Sequence, residues 1–179
     1  MHINVTIEGV APLLMNCFTG EIERNGTPHE QAAKKAYRNN DTDELEFPCQ
    51  NIMACLIEAG DNFFSTSESE RIPTSLQVLG ITIPLGTKDF KVDSRSVICR
   101  STGERVMCHR PRIDEWQLSF KIFADDAIFS MNLVRELFEH AGLVVGLGDY
   151  RPGRRGPFGR FVVKKFQKIN ENEELPQAA

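Results

Sequence analysis

Glycine and arginine are concentrated in one stretch near the carboxyl end of this 179-residue sequence. Six of the thirteen glycines lie from Gly142 to Gly159, and seven basic residues without an acidic one lie from Arg151 to Lys168. Glycine permits tight turns and close approach of another chain, and arginine offers planar donors that suit phosphate oxygens. The stretch therefore predicts a loop that binds a polyphosphate chain. A solvated surface turn is the alternative, and the stretch alone fits both equally.

A second basic region lies earlier, where five arginines between Arg95 and Arg112 accompany a single acid, Glu104. Together the two regions supply the candidate residues for binding a nucleic-acid backbone, which are Arg95, Arg100, Arg105, Arg110, Arg112, Arg151, Arg154, Arg155, Arg160 and Lys164. The glycines expected to shape the loop are Gly146, Gly148, Gly153, Gly156 and Gly159.

Other reactive side chains fit weaker chemical patterns. Cys99, Cys108 and His109 could ligate a metal, but their spacing matches no zinc motif, so buried hairpin cysteines are the favoured interpretation. His29, His109 and Tyr37 could serve general acid–base cleavage, yet no histidine lies in a motif. The sequence has neither a dinucleotide fingerprint nor a phosphate-binding P-loop. We therefore expect no catalytic residue, no metal and no cofactor.

Charge and hydropathy restrict the class of protein. The formal net charge is −4, so binding to nucleic acid must come from segregated charge. Acids cluster at 41–46, 68–70 and 171–174, and residues 170–179 are expected to form a flexible acidic tail. No apolar run approaches the ~18 residues of a membrane span, the N-terminal residues lack an export signal, and five cysteines fit reduced thiols. These features predict a cytoplasmic protein without membrane contact.

The hydrophobic pattern predicts the strands that position these residues. Apolar and polar residues alternate over His2–Glu8 and over Trp116–Ile122, which is typical of half-buried strands. Because the polar side of the first strand is rich in hydrogen-bonding groups, it is a potential ligand-facing surface. Further strands are expected over 76–85, 90–100, 104–109 and 161–168.

Two longer helices are expected between the strands. One covers 49–59, has its apolar residues on one face, and is expected to end at Gly60. The other begins after Ser130, which is a suitable N-cap, and is expected to end at Gly142. The segment 62–74 is expected to be an exposed loop.

Without insertions the order is strand, helix, strand, strand, helix, strand. This order predicts an α+β protein with a ferredoxin-like (RRM-like) core, in which two helices cover one side of a four-stranded antiparallel sheet. We expect a single domain over 1–169. An insertion of 16–46 follows the first strand and holds a short helix over 28–37 with Thr27 as its N-cap. A basic hairpin of 90–112 lies between the second and third strands.

Three segments resemble the RAMP superfamily, the RRM-like proteins that form backbone and processing subunits of CRISPR effector complexes. Residues 47–58, Phe-Pro-Cys-Gln-Asn-Ile-Met-Ala-Cys-Leu-Ile-Glu, resemble the family's entry to its first helix. Gly146-Leu-Gly148 and the run 154–160, Arg-Arg-Gly-Pro-Phe-Gly-Arg, resemble its C-terminal glycine-rich loop. The hairpin lies where backbone subunits carry a protruding thumb. Similar small proteins occur in phage-like settings as well.

The resemblance implies a non-catalytic protein that binds single-stranded nucleic acid, with RNA as the expected ligand, and that self-associates in a row or helix. One alternative is a metal-independent endoribonuclease of the same superfamily. Another is an assembly protein that uses the sheet for protein contacts alone. The sequence does not separate RNA from DNA.

Overall fold

Antiparallel strands and α-helices make up the computed structural model, which describes residues 1–18, 20, 25–98 and 103–169. In chain order the strands are β1 (His2–Gly9), β2 (Leu13–Leu14), β3 (Glu46–Pro48), β4 (Leu76–Val78), β5 (Thr82–Pro84), β6 (Lys91–Ile98), β7 (Arg105–Ile113), β8 (Gln117–Ala124) and β9 (Phe161–Lys168). The α-helices are α1 (Pro28–Ala33), α2 (Cys49–Phe63), α3 (Thr66–Ser69), α4 (Ile72–Ser75) and α5 (Met131–His140). The expected α+β class is confirmed.

The main sheet has the strand order β4-β8-β1-β9, and all its neighbouring strands are antiparallel. On β1 the side chains of Ile3, Val5 and Ile7 are buried, whereas the residues between them point outward, as the sequence alternation predicts. On β8 the same alternation holds from Leu118 to Ala124. One face of the sheet therefore builds the core, and no helix among the described residues covers the other.

Helices α2 and α5 cover the inner face of the main sheet. The ring of Phe138 on α5 lies between the rings of Phe120 and Phe166, with centroid separations of 6.1 Å and 6.0 Å. Ser130 caps α5, because its hydroxyl accepts a hydrogen bond from the amide of Leu133 at 3.3 Å. This confirms the predicted N-cap.

Both predicted helix ends at glycine are wrong. Helix α2 continues through Gly60 to Phe63, and Gly60 instead lets the side chain of Ile72 pack closely against the helix. After α5 the chain continues as a π-helix over Ala141–Val145. A Cβ on Gly142 would collide with the carbonyl oxygen of Phe161, so this glycine permits close approach of helix and strand.

The strand predicted over 76–85 is two strands, β4 and β5, separated by a turn at Gly80, whose φ is +100°. Strand β5 leaves the main sheet and pairs with β3. The segment predicted as an exposed loop, 62–74, instead holds the end of α2, helix α3 and the start of α4. Helices α3 and α4 span only four residues each, which is too short for a helical period to be detected in the sequence.

The predicted hairpin forms from β6 and β7, which pair from Lys91 opposite Arg112 to Ile98 opposite Arg105. Strand β2 joins its other edge, giving the order β2-β7-β6. The tip, 99–102, lies outside the described residues.

Within the segment 16–46, Thr27 caps α1 with the predicted side-chain hydrogen bond to Glu30, although the helix ends at Ala33 and not near residue 37. Ala32 and Leu45 of this segment are fully buried and contribute to the core.

Candidate nucleic-acid interface

The glycine-rich loop, residues 146–160, is held against the chain segment that follows β1. The amide of Asp149 donates to the carbonyl of Leu14 at 2.8 Å, and the amide of Gly159 donates to a carbonyl of the same segment at 2.8 Å. Gly148 has a φ of +75°, and a Cβ there would collide with the carbonyl oxygen of Leu14. Contacts within the protein therefore hold the loop backbone in place.

Of the four arginines in the loop, Arg151 is neutralised by an acid, whereas Arg154, Arg155 and Arg160 are exposed. Arg151 donates to a carboxylate oxygen of Glu58 on α2 at 2.8 Å and to the carbonyl of Gly148 at 3.2 Å. Its side chain is only 19% exposed. Arg154 and Arg155 are both exposed, and neither has an ion-pair partner among the described residues. The loop thus presents two adjacent guanidinium groups to solvent.

Arg110 joins the hairpin to the loop. Its Nη1 donates to Oδ2 of Asp149 at 2.6 Å, and its Nη2 lies 3.7 Å from Oδ1 of Asp93, its cross-strand neighbour on β6. The side chains of Arg110 and Asp93 are each 6% exposed. Within the described part of the chain, Nε of Arg110 has no hydrogen-bond partner. Arg110 is therefore a buried cation whose charge is already compensated.

Arg95 reinforces the same contact from the hairpin side. Its Nε donates to both carboxylate oxygens of Asp93, at 2.8 Å and 3.0 Å. Its guanidinium also lies over the rings of Phe158 and Tyr150 in the loop, 4.9 Å and 5.6 Å from their centroids. Cation–π contacts of this kind add to the attraction between the two elements. The hairpin and the loop therefore form one continuous surface.

Arg112 at the base of the hairpin is neutralised locally. Its Nε donates to Asp114 at 2.6 Å, and Lys91 donates to the other oxygen of the same carboxylate at 2.7 Å. The hydrogen bond from Lys91 is the largest cause of a lowered pKa of Asp114, and the hydrogen bond from Arg112 lowers this pKa further. Asp114 therefore remains ionised and keeps both cations paired.

The remaining predicted cations lie toward solvent. Arg105 is exposed at the start of β7, and exposed Arg160 donates to the carbonyl of Leu143 at 3.2 Å. Lys164 on β9 lies 3.2 Å from Glu8 on β1, and both are about half exposed. Arg100, like the acidic tail, lies outside the described residues.

A cleft of about 210 Å³ opens between the loop and the first turns of α2. Its polar lining comprises Asn16, Tyr37, Asn51, Asp149 and Arg151. The cleft is smaller than the ~300–1000 Å³ typical of sites for drug-sized ligands, so it suits one base or one sugar. Its amide, phenol and carboxylate groups can hydrogen-bond to a base edge or a ribose hydroxyl.

Cys55 on α2 forms a hydrogen bond to the first residue of the loop. Its thiol donates to the carbonyl oxygen of Gly146 at 3.2 Å. Burial raises the pKa of this thiol to about 12, so it stays neutral at physiological pH. Cys55 is therefore a structural hydrogen-bond donor and not a nucleophile.

Among the residues that the structure describes, the other reactive side chains do not come together in one centre. His109 lies 2.7 Å from the hydroxyl of Ser94, and His29 stacks on the ring of Phe90 at 4.9 Å. The sulfur of Cys108 lies 3.2 Å from Nζ of Lys35. Across residues 1–18, 20, 25–98 and 103–169, no group of three histidine, cysteine or carboxylate side chains could hold a metal ion. Cys99 falls outside these ranges.

Sequence reasoning missed the carboxylates that neutralise the predicted cations. Glu58, Asp93 and Asp149 lie on three different elements and come together only in the fold. One signal was available, because Asp93 and Arg95 are two residues apart on one strand and so share a face. The partner of Arg151 is 93 residues away along the chain and left no such signal.

Comparisons with known proteins find similarity in structure alone. No protein-family model and no curated protein sequence matches the chain. Its fold is similar to that of a chain in a solved structure of the type III-B Cmr-beta bound to cognate target RNA. The TM-score is 0.66, the sequence identity is 12%, and the match covers 93% of this chain and 59% of the other. This chain thus shares that fold and spans about three fifths of the neighbour's length.

Among the described residues, every helix is too short or too polar to cross a bilayer.

Proposed function

We propose that this protein is a non-catalytic, RAMP-type subunit with a ferredoxin-like core, and that it binds single-stranded RNA. The strand order β4-β8-β1-β9, with α2 after β1 and α5 after β8, supports this core. The fold's likeness to a Cmr-beta chain solved with target RNA supports RNA as the ligand. Because this chain is much shorter than that neighbour, only RNA binding is carried over.

The observation that carries the proposal is the exposed pair Arg154 and Arg155. Most other hairpin and loop cations that the structure describes have an acidic partner, whereas these two have none in the described part of the chain. Two unpaired guanidinium groups on a rigid loop attract a polyanion, and they fit phosphate oxygens by geometry. They are therefore the proposed phosphate contacts.

The surrounding residues have two further roles in this proposal. Arg95, Arg110 and Arg151 position the loop and the hairpin, because their charges are satisfied within the protein. Exposed Arg105 and Arg160, with Lys164, extend the basic surface. The 210 Å³ cleft beside the loop receives a base or a ribose of the bound strand.

The test is the salt dependence of binding to a fluorescein-labelled single-stranded RNA, measured by anisotropy. Replacing both Arg154 and Arg155 by alanine removes two phosphate contacts, which lowers the slope of log K against log salt by about 1.4. The affinity should fall to a similar degree for different RNA sequences, because phosphate contacts carry no base information.

A matched control replaces Arg71 and Arg135 by alanine, which removes the same charge from two exposed sites, one immediately before α4 and one on α5. The control should change the affinity only slightly. Equal affinities and equal slopes for the two double variants would contradict the proposed site.

We also propose that several copies assemble in a row along one RNA strand. A chain of net charge −4 offers a small basic surface, so tight binding without sequence preference requires several copies. Head-to-tail contacts that do not close a ring produce such rows. The 16–46 segment is the proposed reaching element, and Phe18 within it is 90% exposed.

Multi-angle light scattering with increasing lengths of RNA measures this assembly. The molar mass of the complex should rise in steps of one chain of 20.2 kDa as the strand lengthens. A complex that holds one protein chain at every RNA length would reject the assembly while leaving RNA binding intact.

A further inference from the structure

The outer face of the main sheet, turned away from α2 and α5, carries a polar and basic surface of which the proposed function uses only Lys164. Strand alternation and register place its residues. They are His2, Asn4, Thr6 and Glu8 on β1, Gln117, Ser119, Lys121 and Phe123 on β8, Val162, Lys165 and Gln167 on β9 with Lys164 at the register irregularity between them, and Gln77 on β4. We call this surface the open face.

Side chains on the open face form rows across the strands. Lys121 lies opposite Asn4, and in the next row Ser119 lies opposite Thr6, which in turn lies opposite Lys165. The hydroxyls of Thr6 and Ser119 are 3.0 Å apart. Because rows on one face are about 6.8 Å apart along a strand, the two lysines are placed to contact different phosphates of one extended chain.

An aromatic pair lies at the end of these rows. The rings of His2 and Phe123 are 5.5 Å apart with an interplanar angle of 57°, and 36% of Phe123 is exposed. Phe123 also borders a cleft of about 440 Å³ at the edge of β4, whose lining includes Met53 and Ile57. An exposed ring beside an apolar cleft is a platform on which a base can stack.

The charge of the open face favours a polyanion. Lys121 and Lys165 have no acidic partner in the part of the chain that the structure describes, and the one acid of the face, Glu8, is paired with Lys164 at 3.2 Å. The surface therefore carries surplus positive charge although the whole chain is at −4. A protein partner would require an apolar centre, whereas the rows between the ring pair and Glu8 are polar.

We propose that the open face is a second binding site for single-stranded nucleic acid, separate from the glycine-rich loop. The phosphates lie at Lys121 and Lys165, and a base stacks on Phe123 beside His2. The choice of ligand class rests on the proposed function, whereas the site itself rests on the open face alone.

The experiment measures the affinity of the full-length protein for labelled oligouridine by anisotropy at several salt concentrations. Replacing Lys121 and Lys165 by glutamate should lower the affinity by at least tenfold and reduce the salt slope by about 1.4. Replacing Phe123 by alanine should lower the affinity by about tenfold with little change in the slope, because stacking involves no phosphate. Circular dichroism checks that each variant is folded.

Charge-matched and ring-matched controls are Lys88→Glu with Arg135→Glu, and Phe63→Ala, all at exposed positions outside the open face; Phe63 is 37% exposed, which matches Phe123. The proposal is overturned if the lysine variant binds as its control does. It is also overturned if the open-face variants change the sedimentation coefficient and not the RNA affinity, since the face would then bind protein.

The Arg154→Ala/Arg155→Ala variant separates this site from the loop. An open-face effect that persists in this background supports the second site, whether or not the loop itself binds RNA. Loss of affinity in the loop variant alone, with open-face variants at control level, upholds the proposed function and rejects the second site.

Discussion

Arg110 lies between carboxylates from two parts of the chain, Asp149 in the glycine-rich loop and Asp93 on β6. A guanidinium that is 6% exposed loses most of its hydration, and the two carboxylates replace that hydration. If Arg110 moved toward a phosphate, buried Asp93 would lose the part of its charge compensation that Arg110 provides. In the proposed interface, Arg110 therefore positions the loop and does not itself contact the RNA.

Replacing Arg110 by alanine should lower the free energy of unfolding by about 3 kcal/mol, because it leaves buried Asp93 with less compensation. Arg112 on the same strand is the matched control, since its ion pair with Asp114 is about one-third exposed on each side. Arg112→Ala should cost no more than about 1 kcal/mol. Urea unfolding measures both values, and equal losses for the two variants would show that Arg110 is not a buried clamp.

At the scale of residues, the sequence predicted the cations but not their pairing. Arg95, Arg110 and Arg151 were grouped with free arginines because composition shows only that bases outnumber acids locally. The distinction depends on carboxylates such as Glu58, which the fold brings in from another element. Exposed Arg154 and Arg155 were in the same group, and only the structure separates them from the others.

At the scale of elements, the position of the glycine-rich loop depends on the close approach of its backbone at Gly148 to the backbone of Leu14. Replacing Gly148 by alanine forces a side chain into a left-handed conformation and against the carbonyl of Leu14. Gly103 is the matched control, because its φ is +72° but a Cβ there would meet nothing within 4 Å. The control should cost about 1 kcal/mol, and the extra collision makes Gly148→Ala clearly more destabilising.

Thermal unfolding followed by circular dichroism compares the two glycine variants. The melting temperature should fall further for Gly148→Ala than for Gly103→Ala, and RNA affinity should fall only for Gly148→Ala. If the two melting temperatures are equal, the loop is not clamped at this position.

The sequence predicts an element reliably where apolar and polar residues repeat over several periods, or where a capping residue marks the start of a helix. Strand β1, strand β8 and the cap of α5 at Ser130 follow from alternation and from side-chain hydrogen bonding. The true ends of helices α2 and α5 were not predictable, because glycines needed for close packing, such as Gly60 and Gly142, cannot be told in sequence from glycines that end a helix.

At the scale of the whole molecule, the fold separates charge that composition averages out. A chain of net charge −4 keeps acids at the buried contacts between hairpin, loop and α2, where they neutralise arginines. Arg154 and Arg155 on the loop, and Lys121 and Lys165 on the open face, remain exposed without an ion-pair partner among the described residues. Under the proposed function, this segregation lets an acidic protein bind RNA.

The measurement that tests RNA binding by the loop most directly is photocrosslinking. The full-length protein is irradiated with 4-thiouridine-containing single-stranded RNA, and the crosslinked peptides are identified by mass spectrometry. We predict crosslinks within residues 146–160, which weaken in the Arg154→Ala/Arg155→Ala variant and persist in the Arg71→Ala/Arg135→Ala control. RNA that crosslinks elsewhere while this loop remains unlabelled, or a protein that forms no crosslink, would contradict the proposed interface.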